Sequence, residues 1–166
     1  MTMKPKKFFM THTESRIRKA FEIAEKAHAG QVDKAEADYI FHPMTVASNC
    51  GDDISAMIVA LLHDVAEDTN FTLEYLQKNI PLTDEEFAAL KLLTHDKNIP
   101  YPEYIKAIKK NSLARKVKLC DLEHNLDFSR LCKDTENLDD VIENLPEEDM
   151  QRIKKYTDAK IELIRN

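Results

Sequence analysis

The sequence predicts an all-α fold, a compact single-domain helical bundle, on three observations. Only two glycines occur in 166 residues, Gly30 and Gly51; tight β-turns lean on glycine, so a multi-stranded sheet is disfavoured. Apolar residues recur at spacings of three and four through most of the chain. Ser, Thr, Asn, Asp and Pro stand where helices begin.

Thr13 caps a first helix to about Ala27, with Ile17, Phe21, Ala24 and His28 on one face. Gly30 to Phe41 has no period and reads as a loop. His42-Pro43 opens a short helix, because proline suits a first turn. Gly51-Asp52-Asp53 ends that helix and caps the next, where Ile54, Met57, Ile58, Leu61, Leu62 and Val65 keep helical spacing. Thr72 starts a helix through Asn79, with Leu73, Leu76 and Ile80 apolar. Thr83 to Glu86 is a capping box for a helix to about Leu93. Thr94 to Pro100 is a polar loop, and Pro102 begins a helix containing Tyr104, Ile105 and Ile108. Asn111 or Ser112 caps the next, with Leu113, Val117, Cys120 and His124 in register. Lys133 to Asn144 is acidic and carries weak signals. Pro146 opens a last amphipathic helix through Met150, Ile153, Ile161 and Ile164. Roughly seven to nine helices result, with no internal repeat and no low-complexity tract.

The formal charge of −6 argues against general binding to nucleic acid or to membrane surfaces. The longest apolar run, Ala56 to Leu62, falls far short of a membrane span. The N-terminus makes a poor signal peptide. Cys50, Cys120 and Cys132 show no paired spacing, which points to a reducing cytoplasm. The sequence leaves the oligomeric state open.

His63 and Asp64 sit inside the most apolar stretch of the chain, Ile54 to Val65, near the C-terminal end of the helix it predicts. An unpaired carboxylate there costs several kcal/mol, so something must satisfy it. His42 and Asp121 are also embedded in apolar surroundings. Two imidazoles and two carboxylates make an incomplete octahedral site for a divalent transition metal, with room for water and substrate. Each histidine alone reads as structural; the four together read as ligands. Glu67 and Asp68 follow His63 within about one turn, and a carboxylate beside a metal can orient a water or take its proton. Asn125 lies four residues beyond Asp121, on the same face, and can bond a substrate. For His28, His95 and His124 a structural role is the simpler reading, with His124 able to stand behind a ligand.

These residues, in this order, resemble the HD-domain metal-dependent phosphohydrolases, and within them the hydrolase domain of RelA/SpoT-type alarmone enzymes and their small stand-alone relatives. The resemblance is carried by Ala27-His-Ala-Gly-Gln31, Tyr39-Ile-Phe-His-Pro43, Ala60-Leu-Leu-His-Asp-Val-Ala-Glu-Asp-Thr69 and Val117-Lys-Leu-Cys-Asp-Leu-Glu-His-Asn-Leu126. It covers about residues 14 to 165 of a domain taken as 1 to 166. It implies one Mn²⁺ per chain on His42, His63, Asp64 and Asp121, water activation by Glu67 and Asp68, and substrate contact by Asn125. The reaction it implies is removal of the 3′-pyrophosphate from guanosine tetra- or pentaphosphate. The long members add a synthetase domain, which this length does not supply.

The departures fall where substrate is chosen. Asp33 stands where an arginine would pack on guanine, Glu36 where a glycine is usual, Leu122 in place of a basic residue and Phe128 in place of a threonine. Lys106, Lys109, Lys110, Arg115, Lys116 and Lys118 form a basic block that can draw phosphates toward the metal or serve as a solvated face. Lys118 is the candidate phosphate ligand from this block, with Lys34 and Arg130 as further candidates. Tyr39, Tyr101 and Tyr104 fit a nucleobase pocket or the core. The function expected is metal-dependent hydrolysis of a small phosphorylated nucleoside. Two alternatives stand beside the alarmone hydrolase: a nucleotidase or phosphoesterase of other specificity, and a metal-retaining helical binding module without turnover.

Overall fold

Asp53 Oδ1 accepts the Ala56 amide proton at 3.0 Å, and this cap starts the element around which the bundle is built. The computed structural model describes residues 12–127, 129 and 137–165, and the expectations placed on Phe128, Arg130 and Cys132 lie outside them. The capped helix is α3, Ile54–Leu62. Its residues Ala56, Ile58, Val59, Ala60, Leu61 and Leu62 are all buried, and Ile54, Ser55 and Met57 are partly buried, so it runs through the core with no fully exposed residue. It packs against α1 (His12–Ala27), α2 (Phe41–Asn49), α6 (Asp84–Leu93) and α8 (Ser112–Asn125). Side chains such as Ile58 and Leu62 each contribute roughly 1.5–3 kcal/mol by leaving water.

The remaining elements are α4 (Val65–Asp68), α5 (Leu73–Asn79), α7 (Tyr101–Lys109), α9 (Leu138–Glu143) and α10 (Glu147–Ile164). Ten helical segments thus appear among the described residues, eight of seven residues or more, and the only β-type pairing among them is the isolated bridge of Val32 with Asp38. None of the helices is long and apolar enough to cross a membrane. Thr72, Thr83 and Asn111 cap α5, α6 and α8 through side-chain oxygens, and Thr83 with Glu86 forms the expected reciprocal box. The Gly30–Phe41 segment is a loop, tied by Asp33, whose Oδ1 accepts from the amides of Ala35 and Ala37 at 2.8 and 3.0 Å.

Two details depart from the sequence reading. His63 and Asp64 do not lie within α3, because the helix stops at Leu62. Asp64, with φ −93 and ψ −10, separates α3 from the short α4. The face of α10 is also different. Met150, Ile161 and Ile164 are exposed, while Ala159 and Leu163 are buried and Tyr156 packs on the core. Small and aromatic residues carry a weaker apolar signal than isoleucine, which is why the sequence pattern points to the other side of the helix. In its true orientation α10 lies against α7 and α8, and its Lys155 and Tyr156 line one cavity with Asp64.

Candidate metal centre and cleft

Pro43 sits within the first turn of α2, just after His42, and places the His42 ring inside the bundle, 5% exposed. His63 is presented at the end of α3, and Asp121 comes from the buried side of α8. Three segments far apart in sequence therefore meet at one point. His42 Nε2 lies 3.3 Å from both Asp64 Oδ2 and Asp121 Oδ1. His63 Nε2 lies 3.2 Å from Asp64 Oδ2 and 3.7 Å from Asp121 Oδ1. His42, His63 and Asp64 offer ligand atoms within 4.8 Å of one another, a group able to hold a divalent metal. Asp121 faces the same two nitrogens.

The donor chemistry fits a cation. His63 Nδ1 is 2.7 Å from the Ala60 carbonyl, which can only accept, so Nδ1 carries the proton. Its Nε2 is buried and has no hydrogen-bond partner among the described residues. A buried, unpaired lone pair aimed at two carboxylates is what a metal satisfies. His42 Nδ1 meets His124 Nδ1 at 2.7 Å, and their rings stack with centroids 4.9 Å apart. If His42 donates there, its Nε2 is left as a ligand atom. Tyr39 Oη donates to Asp64 Oδ2 at 2.7 Å. Lys118 Nζ and Asn125 Nδ2 donate to the two oxygens of Asp121 at 2.7 and 2.5 Å.

The electrostatics follow from this crowding. Burial works against the charged form of His42, yet the Asp121 and Asp64 carboxylates overcome it and raise its pKa to about 9. Burial also opposes ionisation of Asp121, but Lys118 and the two histidines hold it well below the usual carboxylate range. Burial and then the Asp64 charge push the Tyr39 hydroxyl far up, so it acts only as a neutral donor. Asp68 is raised, first by burial and then by the Asp64 and Glu67 charges. Burial, Lys118 and Arg152 lower Lys155.

The cluster opens into a cleft of about 190 Å³. Glu67, Asp68, Lys118 and Asn125 line it together with His42, Asp64 and Asp121, so the structure gathers these seven expected residues at one cavity. Glu67 Oε2 accepts the His95 amide at 3.0 Å, which fixes one carboxylate oxygen. Lys34 is not among the lining residues, because it pairs with Asp149 at the start of α10. The basic block is largely committed elsewhere: Lys106 pairs with Glu103, Lys109 with Glu162 and Lys116 with Asp53. Residues missed in the sequence complete the walls, namely Leu93, His95, Lys155 and Tyr156, beside Tyr101 and Tyr104. The spacing of Tyr156, Ala159 and Leu163 was the available signal for the α10 contribution.

No family model matches the chain. It is 41% identical over 76 residues, 44% of this chain, to a probable GTP pyrophosphokinase of Mycobacterium leprae, of which the match covers 10%. It is 43% identical over 77 residues, 45% of this chain and 11% of the relative, to a guanosine-3′,5′-bis(diphosphate) 3′-pyrophosphohydrolase of Borreliella burgdorferi. The bifunctional (p)ppGpp synthase/hydrolase SpoT of Escherichia coli matches at 32% over 123 residues, 67% of this chain and 18% of that protein. The matched segment thus spans less than a fifth of the length of these curated relatives. A solved structure of a metazoan ortholog of SpoT that hydrolyses ppGpp superposes with a TM-score of 0.68 at 20% identity, covering 95% of this chain and 88% of that one, and shares its fold. Motif order, fold and these likenesses place the chain in one family: it belongs to the RelA/SpoT-type HD domains.

Proposed function

We propose that residues 1–166 form one metal-dependent phosphohydrolase domain acting in the cytoplasm on a phosphorylated nucleoside, with guanosine 3′,5′-bis(diphosphate) 3′-pyrophosphohydrolase activity as the leading assignment. The observation that carries this reading is the convergence of His42, His63, Asp64 and Asp121, three of which line one cleft with Glu67 and Asp68 while His63 is buried behind them. The names of the Borreliella and Escherichia relatives support the substrate.

His42 Nε2, His63 Nε2, Asp64 and Asp121 would hold one divalent cation, with Mn²⁺ the metal proposed. Bound there, it supplies Lewis acidity toward a phosphoryl oxygen and a water. The chain's own groups do the rest. Glu67 has one oxygen fixed by the His95 amide and takes the proton of the attacking water with the other. Asp68 lines the same cleft and gives a proton to the ribose oxygen as the phosphorus–oxygen bond breaks. Asn125 and Lys118 bond the substrate while steadying Asp121.

A second substrate reading, a nucleotide hydrolase of other base preference, is favoured by the loop. Asp33 is spent on tying its own turn, and Leu122 is fully buried, so neither offers a base the cation expected of the resembled enzymes. Metal-loaded protein given the guanosine and adenosine bis(diphosphates), with phosphate and pyrophosphate release followed separately, decides between them. Absence of pyrophosphate release from the guanosine compound would remove the leading assignment.

A further inference from the structure

Two ammonium groups line the cleft, Lys118 and Lys155. Lys118 is committed, because its Nζ donates to Asp121 Oδ2 at 2.7 Å. Lys155, from α10, is held by aromatic faces instead of a carboxylate. Its Nζ lies 4.4 Å from the centre of the Tyr101 ring and 5.3 Å from that of Tyr156. The charges that act on it are those of Lys118, Arg152 and Glu67, two cations against one acid. An ammonium so placed is short of negative charge, and an anion brought beside it is attracted.

Tyr101 supplies a second unfilled group. Its hydroxyl is buried and without a hydrogen-bond partner among the described residues. Burial pushes that hydroxyl up to about 12, so it is a neutral donor. One residue thus offers its ring face to the ammonium and keeps a donor unused. An acceptor that satisfies both groups must be anionic and carry several oxygens, which is the chemistry of a phosphate. The cation ligands lining the cleft come from α2, α8 and Asp64 beyond the end of α3, whereas Tyr101 and Lys155 belong to α7 and α10. The cleft therefore has two anion-seeking sides built from different helices.

Resting on the function proposed above, we infer that Lys155 and the Tyr101 hydroxyl hold the phosphate group of the substrate that the metal does not, and so select nucleosides phosphorylated at two positions. The metal takes the scissile 3′-diphosphate, and Lys155 with Tyr101 takes the 5′-diphosphate. Both phosphate groups lie in the cleft, and the base is left to the loop after Gln31.

Steady-state hydrolysis with Mn²⁺ tests this on guanosine 3′,5′-bis(diphosphate) and on guanosine 3′-diphosphate, which has the same scissile group and no 5′ phosphate. If the second compound is not turned over, its inhibition constant as a competitor replaces its KM. Lys155→Gln should raise KM for the first compound about tenfold or more, the range of one hydrogen bond to a charged group. Its kcat, and its constant for the second compound, should stay within about twofold of the parent's. Tyr101→Phe should raise KM for the first compound about three- to tenfold and also spare the second. It removes only a hydroxyl with no partner among the described residues, so its melting temperature should equal or exceed the parent's. Lys155→Arg keeps the charge and should hold KM within about threefold of the parent's. Equal rises on both compounds, or no rise on either, overturn the assignment and leave the proposed function standing. A parent that hydrolyses neither compound overturns the leading assignment and this inference with it.

Discussion

His124 Nδ1 lies 2.7 Å from His42 Nδ1, both rings buried and stacked, so one histidine of α8 sets the ring orientation of another on α2. Groups behind a ligand in this way typically matter ~10–100-fold to metal affinity. His124→Phe should keep the ring stack and lose the hydrogen bond. We expect Mn²⁺ affinity, measured by competition with a chelator, to fall by about that factor. Unchanged affinity would reduce His124 to a packing residue.

Glu67→Gln preserves size and its bond to the His95 amide while removing proton acceptance. Hydrolysis should fall ~10²–10⁴-fold, with metal content retained by elemental analysis. A variant as fast as its parent would take the base role away from Glu67.

The pH behaviour should have opposite signs with and without metal. His42 is raised to about 9, above its unfolded value near 6.5. In the metal-free protein this interaction is fully present below about pH 6.5 and is lost as pH rises through about 9. Metal must displace that proton, so its affinity should increase with pH up to about 9. Thermal melts at pH 6 and pH 9.5, with chelator and with Mn²⁺, check both trends. A chelated protein whose stability does not fall over that interval would contradict the assignment.

Glu36 has φ +62, a left-handed conformation in a non-glycine residue. That geometry costs roughly 1–2 kcal/mol for an L side chain, offset by the greater freedom glycine has when unfolded. Glu36→Gly should stabilise the fold by up to about 1 kcal/mol, read as a higher denaturant midpoint with unchanged slope. A lower midpoint would mean that the Glu36 side chain makes contacts worth more than the strain.

Glu86 is fully buried and accepts from Arg16, Ser55 and the Thr83 amide, tying α1, α3 and α6 together. Arg16→Ala would leave its carboxylate without its cation, and a broken buried pair costs ~3–5 kcal/mol. Chemical denaturation should show that loss. A change below about 1 kcal/mol would place Arg16 with ordinary surface cations.

What could be read from sequence depended on the range of the interaction. The caps at Asp53, Thr72, Thr83 and Asn111 are local and appeared at their expected positions. The gathering of His42, His63, Asp64 and Asp121 was legible because each is a polar residue where only apolar ones belong. Arg16 with Glu86 and Lys34 with Asp149 join residues 70 and 115 positions apart, and nothing in a one-dimensional pattern links them. Asp33 illustrates a different limit. Its place in the loop suggested a lost base contact, while the structure uses its carboxylate to hold the turn. The α10 walls were hidden because Tyr156 and Ala159 look unremarkable beside exposed isoleucines.

Because α3 is buried from Ile58 to Leu62 and only partly at Ile54, Ser55 and Met57, it behaves as an axle whose wet end and dry end differ. Its two tips are held by different groups, one by Asp53 with Lys116 and the other by His63 with Asp64. The first tip can therefore be altered to tune rigidity without touching the chemistry at the second. Random substitutions that spare activity should accumulate around Asp53 and thin out toward Leu62.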